Sequence, residues 1–384
     1  MLHLLTDRQR ERRDAFLAFA QRTVAPQAHA WDRDQRIDDA AIGALADAGY
    51  LGCVLPREHG GLGEDVVTFG LLNEALGRAS SAFTGVLTVQ SMVGSALAKW
   101  GTDEQRRAWL PRLASGATIA AFALTEPDAG SDLQALSLSF SPTRGGEALR
   151  IDGRKKWITC AQRAGVFLVF GKLDDGRPIA AIVPRDTPGL SVEPIVDLMG
   201  FRAAGLGQLV FEGAVVPLAS VVGKPGFALS HVAPVGLQYG RISTACSALG
   251  LLRGCFEESI ARASTRRIGD RPASDLGMVR TLIARMGADL AAAGFLCHDA
   301  CRTEDERLPE AFEKVLTAKY FASRAAVRAA SDAVQIHGAI GCSAESPVSR
   351  FYRDAKILEI IEGTTQVHEE LLGRMFAGRA ARAH

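Results

Sequence analysis

No apolar run in this 384-residue chain approaches the roughly 18 residues that a bilayer-spanning helix needs, so no membrane segment is expected. The first residues, MLHLLTDRQRERRDAF, lack an apolar core of signal-peptide length. Neither sign of charge is in excess. The 44 Lys+Arg face 43 Asp+Glu, which exerts no net pull toward nucleic acid or an anionic membrane. Seven cysteines, an odd number without framework spacing, argue against a disulfide-stapled secreted protein. No G-x-G-x-x-G follows a strand-like run, so a Rossmann dinucleotide site has no support. Internal repeats are missing, and the one biased stretch is the Ala/Arg-rich end, where Arg374 to Arg382 reads as a frayed, solvated tail. These absences leave a cytoplasmic globular chain long enough for two or three cores.

Three textures follow one another. From residue 1 to 116 the pattern is helical, with Phe16, Phe19, Ala20 and Val24 at helical spacing behind a cap at Thr6 or Asp7. Ile42, Leu45 and Ala46 repeat it, and Gly49 is placed to end that helix. Pro56 to Gly63 (PREHGGLG) is a loop, and helical patterning returns over Leu71–Gly77 and Val93–Trp100. From 117 to 226 short β-like runs take over: Val166–Phe170, Ile179–Val183 and Leu209–Phe211. Asp152-Gly153 and Asp175-Gly176 each read as hairpin turns. From 227 to 384 the helices are long. Leu276, Val279, Ile283, Met286 and Leu290 form one apolar stripe behind Ser274 or Asp275 as cap, and Phe312, Val315, Leu316 and Tyr320 begin another. The expected fold class is α+β, mostly α: a helical domain, a β-barrel-like domain and a four-helix bundle.

Four stretches then stand out in order along the chain: FALTEPDAGSD (Phe122–Asp132), KWIT (Lys156–Thr159), QIHG with a further glycine (Gln335–Gly341), and RDAKILEIIEGTTQ (Arg353–Gln366). Together they resemble the acyl-CoA dehydrogenase family, with PREHGGLG and Gly101–Gln105 in weaker support. The resemblance implies FAD held without a Rossmann site, lying between the β domain and the bundle and touching a neighbouring subunit of a homotetramer or dimer. It implies oxidation of an acyl thioester, carried on CoA or an acyl carrier protein, with an electron-transfer flavoprotein as acceptor.

By that resemblance Glu362 is the base that removes the substrate's α-proton while a hydride leaves the β-carbon for the flavin. A carboxylate is far too weak a base for such a carbon acid without desolvation and hydrogen bonds to the thioester oxygen. Some relatives carry the base just before an arginine early in the bundle; here Gly240 precedes Arg241, and glycine cannot serve. Phe122, Leu124, Thr125 and Ser131 match flavin-contacting positions, and Ser131 also matches a contact to the substrate's phosphopantetheine. Trp157 and Thr159 match residues packed on the isoalloxazine. Gln335 and Gly338 match the stretch that receives FAD phosphates from a neighbour; Thr364 and Gln366 match further FAD contacts. Arg241, Ile361 and Gly363 complete the substrate-binding set. Glu126 and Asp132 read as loop-tying residues, and Cys297-His298-x-x-Cys301 as helix packing, with a metal as the sharper alternative.

The chain also departs from the family pattern. Ala339 stands for a usual glycine, which is tolerated if its φ is negative. Thr265 falls where a pyrophosphate-binding arginine is usual, and Arg266 or Arg267 takes that role by a local shift. Ile361 replaces an aromatic residue, and Gln238 replaces an acidic residue near the pantetheine. With the run STRRIGDRP (Ser264–Pro272) and AVQIHGAIGCS, these changes resemble a subgroup from polyketide and nonribosomal-peptide pathways that oxidises acyl groups on carrier proteins. The alternatives are an oxidase or monooxygenase of the same superfamily that uses O₂, a flavin-bearing relative recruited to nucleic acid, and a flavin scaffold without turnover.

Overall fold

The computed structural model describes residues 2–382, built as a helical layer, a curled sheet and a helical bundle. The first layer holds α1 (Asp7–Phe19), α2 (Ala28–Asp34), α3 (Asp39–Asp47), α4 (Val66–Ala79), α5 (Ser81–Trp100) and α6 (Asp103–Ala114). Local chemistry sets their starts. Thr6 and Gln9 close a reciprocal capping box on α1, Thr102 and Gln105 do the same on α6, and Asp65 accepts from Thr68 N at 2.6 Å to start α4. Gly49 follows α3 with φ +72°, the left-handed turn expected of it. By length and mean hydropathy α5 is apolar enough to cross a membrane, yet Ser81 to Leu97 are all buried between its neighbours. A helix apolar all round is a central helix of a large core.

The sheet contains β1 (Ala120–Ala123), β2 (Ser139–Pro142), β3 (Ala148–Ile158), β4 (Val166–Leu173), β5 (Pro178–Pro184), β6 (Leu190–Pro194) and β7 (Gly207–Pro217). Its order is β1-β4-β2-β3-β7-β6, with β5 on the free side of β4. Asp175-Gly176 turns β4 into β5, with Gly176 at φ +81° and Asp175 accepting from Arg177 N. Asp152-Gly153 does not make a hairpin, contrary to its sequence signal. It lies inside β3, where the pairing with β7 slips by one residue between Ile151 and Asp152. The slip leaves Gly213 bulged out of the ladder, and Asp152 Oδ1 accepts its N–H at 2.8 Å. Gly153 has φ +131°, and a Cβ there would lie 3.1 Å from Leu138 Cα. The dipeptide serves a bulge that bends the long strand, which is the other use of glycine in a ladder.

The bundle consists of α7 (Ala233–Thr265), α8 (Gly277–Asp305) and α9 (Ala311–His337), with α10 (Pro347–Ile360) and α11 (Thr365–Arg382) packed on α9. A two-stranded hairpin, β8 (Arg267–Ile268) and β9 (Arg271–Pro272), joins α7 to α8. Ser274 and Asp275 do not cap α8. Ala273 N donates to Arg266 O at 2.7 Å and draws 273–275 into a tight turn, so the helix begins at Gly277 behind Leu276. The arginine-rich end is helical to Arg382 rather than frayed; Arg374 pairs with Glu370 one turn back, and Arg379 with Glu313 on α9.

Helices α4 and α7 touch backbone to backbone. A Cβ on Gly250 would sit 2.1 Å from Glu74 O, and one on Gly77 2.5 Å from Ser247 O. Around this seam Thr88, Ser243 and Asn73 form a buried chain of hydrogen bonds linking α5, α7 and α4. Gly250→Ala is therefore expected to force the helices apart at a cost of about 1–3 kcal/mol, read as a lower thermal midpoint.

Candidate active site

A cavity of about 310 Å³ lies where the three layers meet. One wall comes from β1 and the loop that follows it. Phe122 closes onto α7, where a Cβ on Gly236 would be 2.5 Å from its ring. Beyond it Glu126 accepts from Ser137 N and Oγ and from Leu138 N, which ties the 124–138 loop back on itself. Asp132 accepts from Gln134 N within the same loop. Beneath the loop Lys155 of β3 is fully buried, donating to Leu124 O and Glu126 Oε1 at 2.8 Å each. Burial pushes the Glu126 carboxyl up, yet Lys155 and the Ser137 and Leu138 donors outweigh it and hold the group below its usual range. Ser131 is exposed at the mouth.

Strand β3 supplies the next wall through a second irregularity. Its pairing with β7 shifts between Lys155 and Ile158, and Trp157 within the shift has φ +62°. The left-handed backbone turns the indole onto the cavity, where it stays 48% exposed with Lys156 Nζ 5.0 Å above the ring. Thr159 lines the cavity beside it.

The third wall is the connection between α10 and α11. Glu362 has φ +56° and Gly363 φ +99°. A left-handed glutamate costs on the order of 1–3 kcal/mol and persists only where its surroundings over-determine it. The strained backbone carries the carboxyl over Gly240 of α7, where a Cβ would lie 2.5 Å from Glu362 Oε2. That oxygen is buried and has no hydrogen-bond partner among the described residues. Burial pushes the carboxyl up to about 7, against the opposing charges of Arg241 and Lys319. Arg241 Nε donates to Glu362 O at 3.4 Å, and its guanidinium lies 5.5 Å over the Phe312 ring.

Phe122, Leu124, Thr125, Ser131, Trp157, Thr159, Arg241, Ile361, Glu362, Gly363 and Thr364, all chosen from sequence, line this one cavity. Arg266, Gln335 and Gly338 do not. They form a separate cluster at the end of α9, where Arg266 donates to Ile336 O at 2.7 Å and faces Gly338. Gln366 is exposed in the first turn of α11. Ala339 has no left-handed backbone, so alanine is unstrained there. Gln238 lies outside the cavity and donates to Glu304 at 2.8 Å. Cys297 and Cys301 pack as buried thiols with Cys246 around a second, apolar cavity between α4, α7 and α8. Val89 and Met92 of α5 and Leu237 of α7 line the site but escaped the sequence reading. Nothing in their helical stripes separates a cavity wall from ordinary core.

The chain matches family models at three places: acyl-CoA dehydrogenase N-terminal domain over residues 6–117, middle domain over 121–214 and C-terminal domain over 230–376. It is 34% identical to the probable acyl-CoA dehydrogenase YngJ of Bacillus subtilis, covering 96% of this chain and 98% of that protein. The structure of butyryl-CoA dehydrogenase from Megasphaera elsdenii superposes with a TM-score of 0.93 at 29% identity, covering 97% of this chain and 99% of the other. FkbI, described as acting in biosynthesis of the methoxymalonyl extender unit of the polyketide Fk520, superposes at 0.88 with 31% identity, covering 94% and 99%.

Proposed function

The chain belongs to the acyl-CoA dehydrogenase family and is an oxidoreductase, and from that premise we propose that it desaturates an acyl thioester between its α- and β-carbons with Glu362 as the base. The observation that carries this reading is the Glu362 carboxyl, buried with one oxygen unpartnered on the wall of a largely apolar cavity. A base that must take a proton from carbon gains strength from lost hydration, and the carboxyl's displacement to about 7 registers that loss.

The lining also fits a flavin, since an exposed indole on a strained backbone offers a flat face beside the hydroxyls of Thr125 and Thr159. Bound there as FAD, the flavin supplies the acceptor for the pair of electrons that leaves with the β-hydrogen. The chain's own groups do the rest. Phe122, Val89, Met92 and Leu237 shield the acyl group from water. Glu362 receives the α-proton, and its backbone N–H is the proposed donor to the thioester oxygen as that oxygen gains charge. Ser131, at the mouth, is assigned to the phosphopantetheine arm. Arg266, Gln335 and Gly338 lie apart from the cavity, which suits a role toward the FAD phosphates of a second subunit in a homo-oligomer. The re-oxidant in this reading is an electron-transfer flavoprotein.

A carrier-protein-bound substrate is the finer proposal, supported by the departures from the family pattern at Ala339 and Thr265 and by Gln238, which is already engaged with Glu304. Anaerobic titration of the flavin-loaded protein with short and medium acyl-CoAs, and then with acylated carrier proteins, tests both levels. Bleaching of the flavin band by carrier-bound acyl groups well ahead of free CoA thioesters is expected. Equal rates would return the substrate to CoA, and no bleaching by either would remove the dehydrogenase reading.

A further inference from the structure

Lys319 presents a cost that packing does not explain. It sits on α9 in the apolar stripe of Val315, Leu316 and Ala322, is fully buried, and is among the largest side chains with no exposure. An ammonium is rarely buried without an anionic or strongly accepting partner. Its Nζ donates to Gly363 O at 2.6 Å and to Glu359 O at 3.2 Å. These carbonyls flank Glu362 in sequence, one in the last turn of α10 and one just after the base. The first is an end-of-helix carbonyl left without a helical partner, where a cation is favoured. Between them the chain makes two successive left-handed residues, Glu362 and Gly363.

From this geometry, and resting on the reading of Glu362 as base, we propose that Lys319 is the positioning residue of the site: its amino group pins the backbone on both sides of the strained glutamate and, when protonated, sets a positive charge near the carboxylate. Four elements bring ionisable groups to this region. Arg241 comes from α7, Lys319 from α9, Glu359 from α10 and His368 from α11, while α5 presents the uncharged Met92. His368 is buried beside Gly363 with neither ring nitrogen bonded, and burial together with Lys319 and Arg241 pushes it down to about 3, so it is neutral. Glu359 is committed to Lys356 at 2.6 Å. Glu362 thus answers both buried cations, Arg241 and Lys319, with Glu359 adding a smaller pull on Lys319 alone. Burial pushes Lys319 down to about 7 and Glu362 up to about 7, and each charge resists the shift of the other.

The test compares wild type, Lys319→Met and Lys319→Gln as flavin-loaded protein. The first readout is the protonated-carboxyl infrared band that is lost in Glu362→Gln, followed against pH without turnover. The second is the rate of flavin bleaching by the best thioester. In Lys319→Met the band midpoint is expected to rise by about one pH unit, and the rate at pH 7 to fall on the order of 10²-fold with KM little changed. Lys319→Gln retains a donor but no charge. It should recover part of the rate while keeping the raised midpoint, and it carries the test if the methionine variant does not fold. An unmoved midpoint in both variants overturns the assignment, whether or not the rate falls, because a lysine that only fills space would not change the base's ionisation. If the midpoint moves while no thioester bleaches the wild-type flavin, the positioning role stands and the dehydrogenase reading falls.

Discussion

Glu362→Gln is expected to keep its flavin, to lose at least about 10²-fold in the rate at which a thioester bleaches it, and to become more heat-stable than the parent above pH 7. The first two effects follow from the chemistry: the amide fills the same space over Gly240 but cannot take a proton. The third follows from the sign of the displacement. The folded protein holds this carboxyl at about 7 against an ordinary 4.5, so between those values the native state keeps a proton that the unfolded chain releases. Stability contributed by the group is therefore intact below about pH 4.5 and is lost as pH rises through about 7, by an amount on the order of 3 kcal/mol. The neutral amide escapes that loss, so the gain in thermal midpoint should be present at pH 8 and vanish near pH 4. The same displacement makes the parent's bleaching rate rise with pH through about 7. A variant that bleached at the parental rate would show that another group is the base.

Lys155→Met should be the most damaging single change to the β domain, costing about 3–5 kcal/mol. Lys155 has no exposure and Glu126 almost none, and the pair sits at 2.8 Å beneath the loop that carries Thr125 and Ser131. Removing the lysine strands the Glu126 carboxylate without its counter-ion and frees Leu124 O, next to the cavity wall. Loss of stability should therefore come with weaker flavin retention. Replacing both partners by apolar residues of similar size should recover much of the stability, because most of the penalty belongs to the orphaned charge rather than to the pair. Denaturation midpoints and flavin content of Lys155→Met and of the double variant check this. A stable, flavin-replete Lys155→Met would refute the account of the loop.

Much of the lining of the candidate site was legible because its residues lie in short contiguous runs. FALTEPDAGSD, KWIT and EGTT each deliver neighbouring residues to one cavity by a local device: a tied loop, a bulge, a left-handed turn. The hairpin signal at Asp152-Gly153 failed for a related reason. Glycine beside aspartate favours positive φ and a local side-chain hydrogen bond, and both a two-residue turn and a bulge want those things. Which of them forms depends on whether β7 runs alongside. Val89, Met92, Leu237 and Lys319 were invisible because each occupies an ordinary position in a helical stripe; their meaning comes from what another helix places opposite.

The sequence by itself therefore determined the order of textures, the cap of the first helix at Thr6, and the family through its four runs, since all of these rest on interactions within a few residues. Only the tertiary structure decided that a carboxyl from the α10–α11 turn would lie over a glycine of α7 more than a hundred residues earlier, desolvated, with Lys319 pinning the backbone on both sides of it. Desolvation and strain belong to the packed assembly and not to any segment, for a carboxyl loses its water, and a left-handed glutamate is held, only when elements distant in the chain close around them.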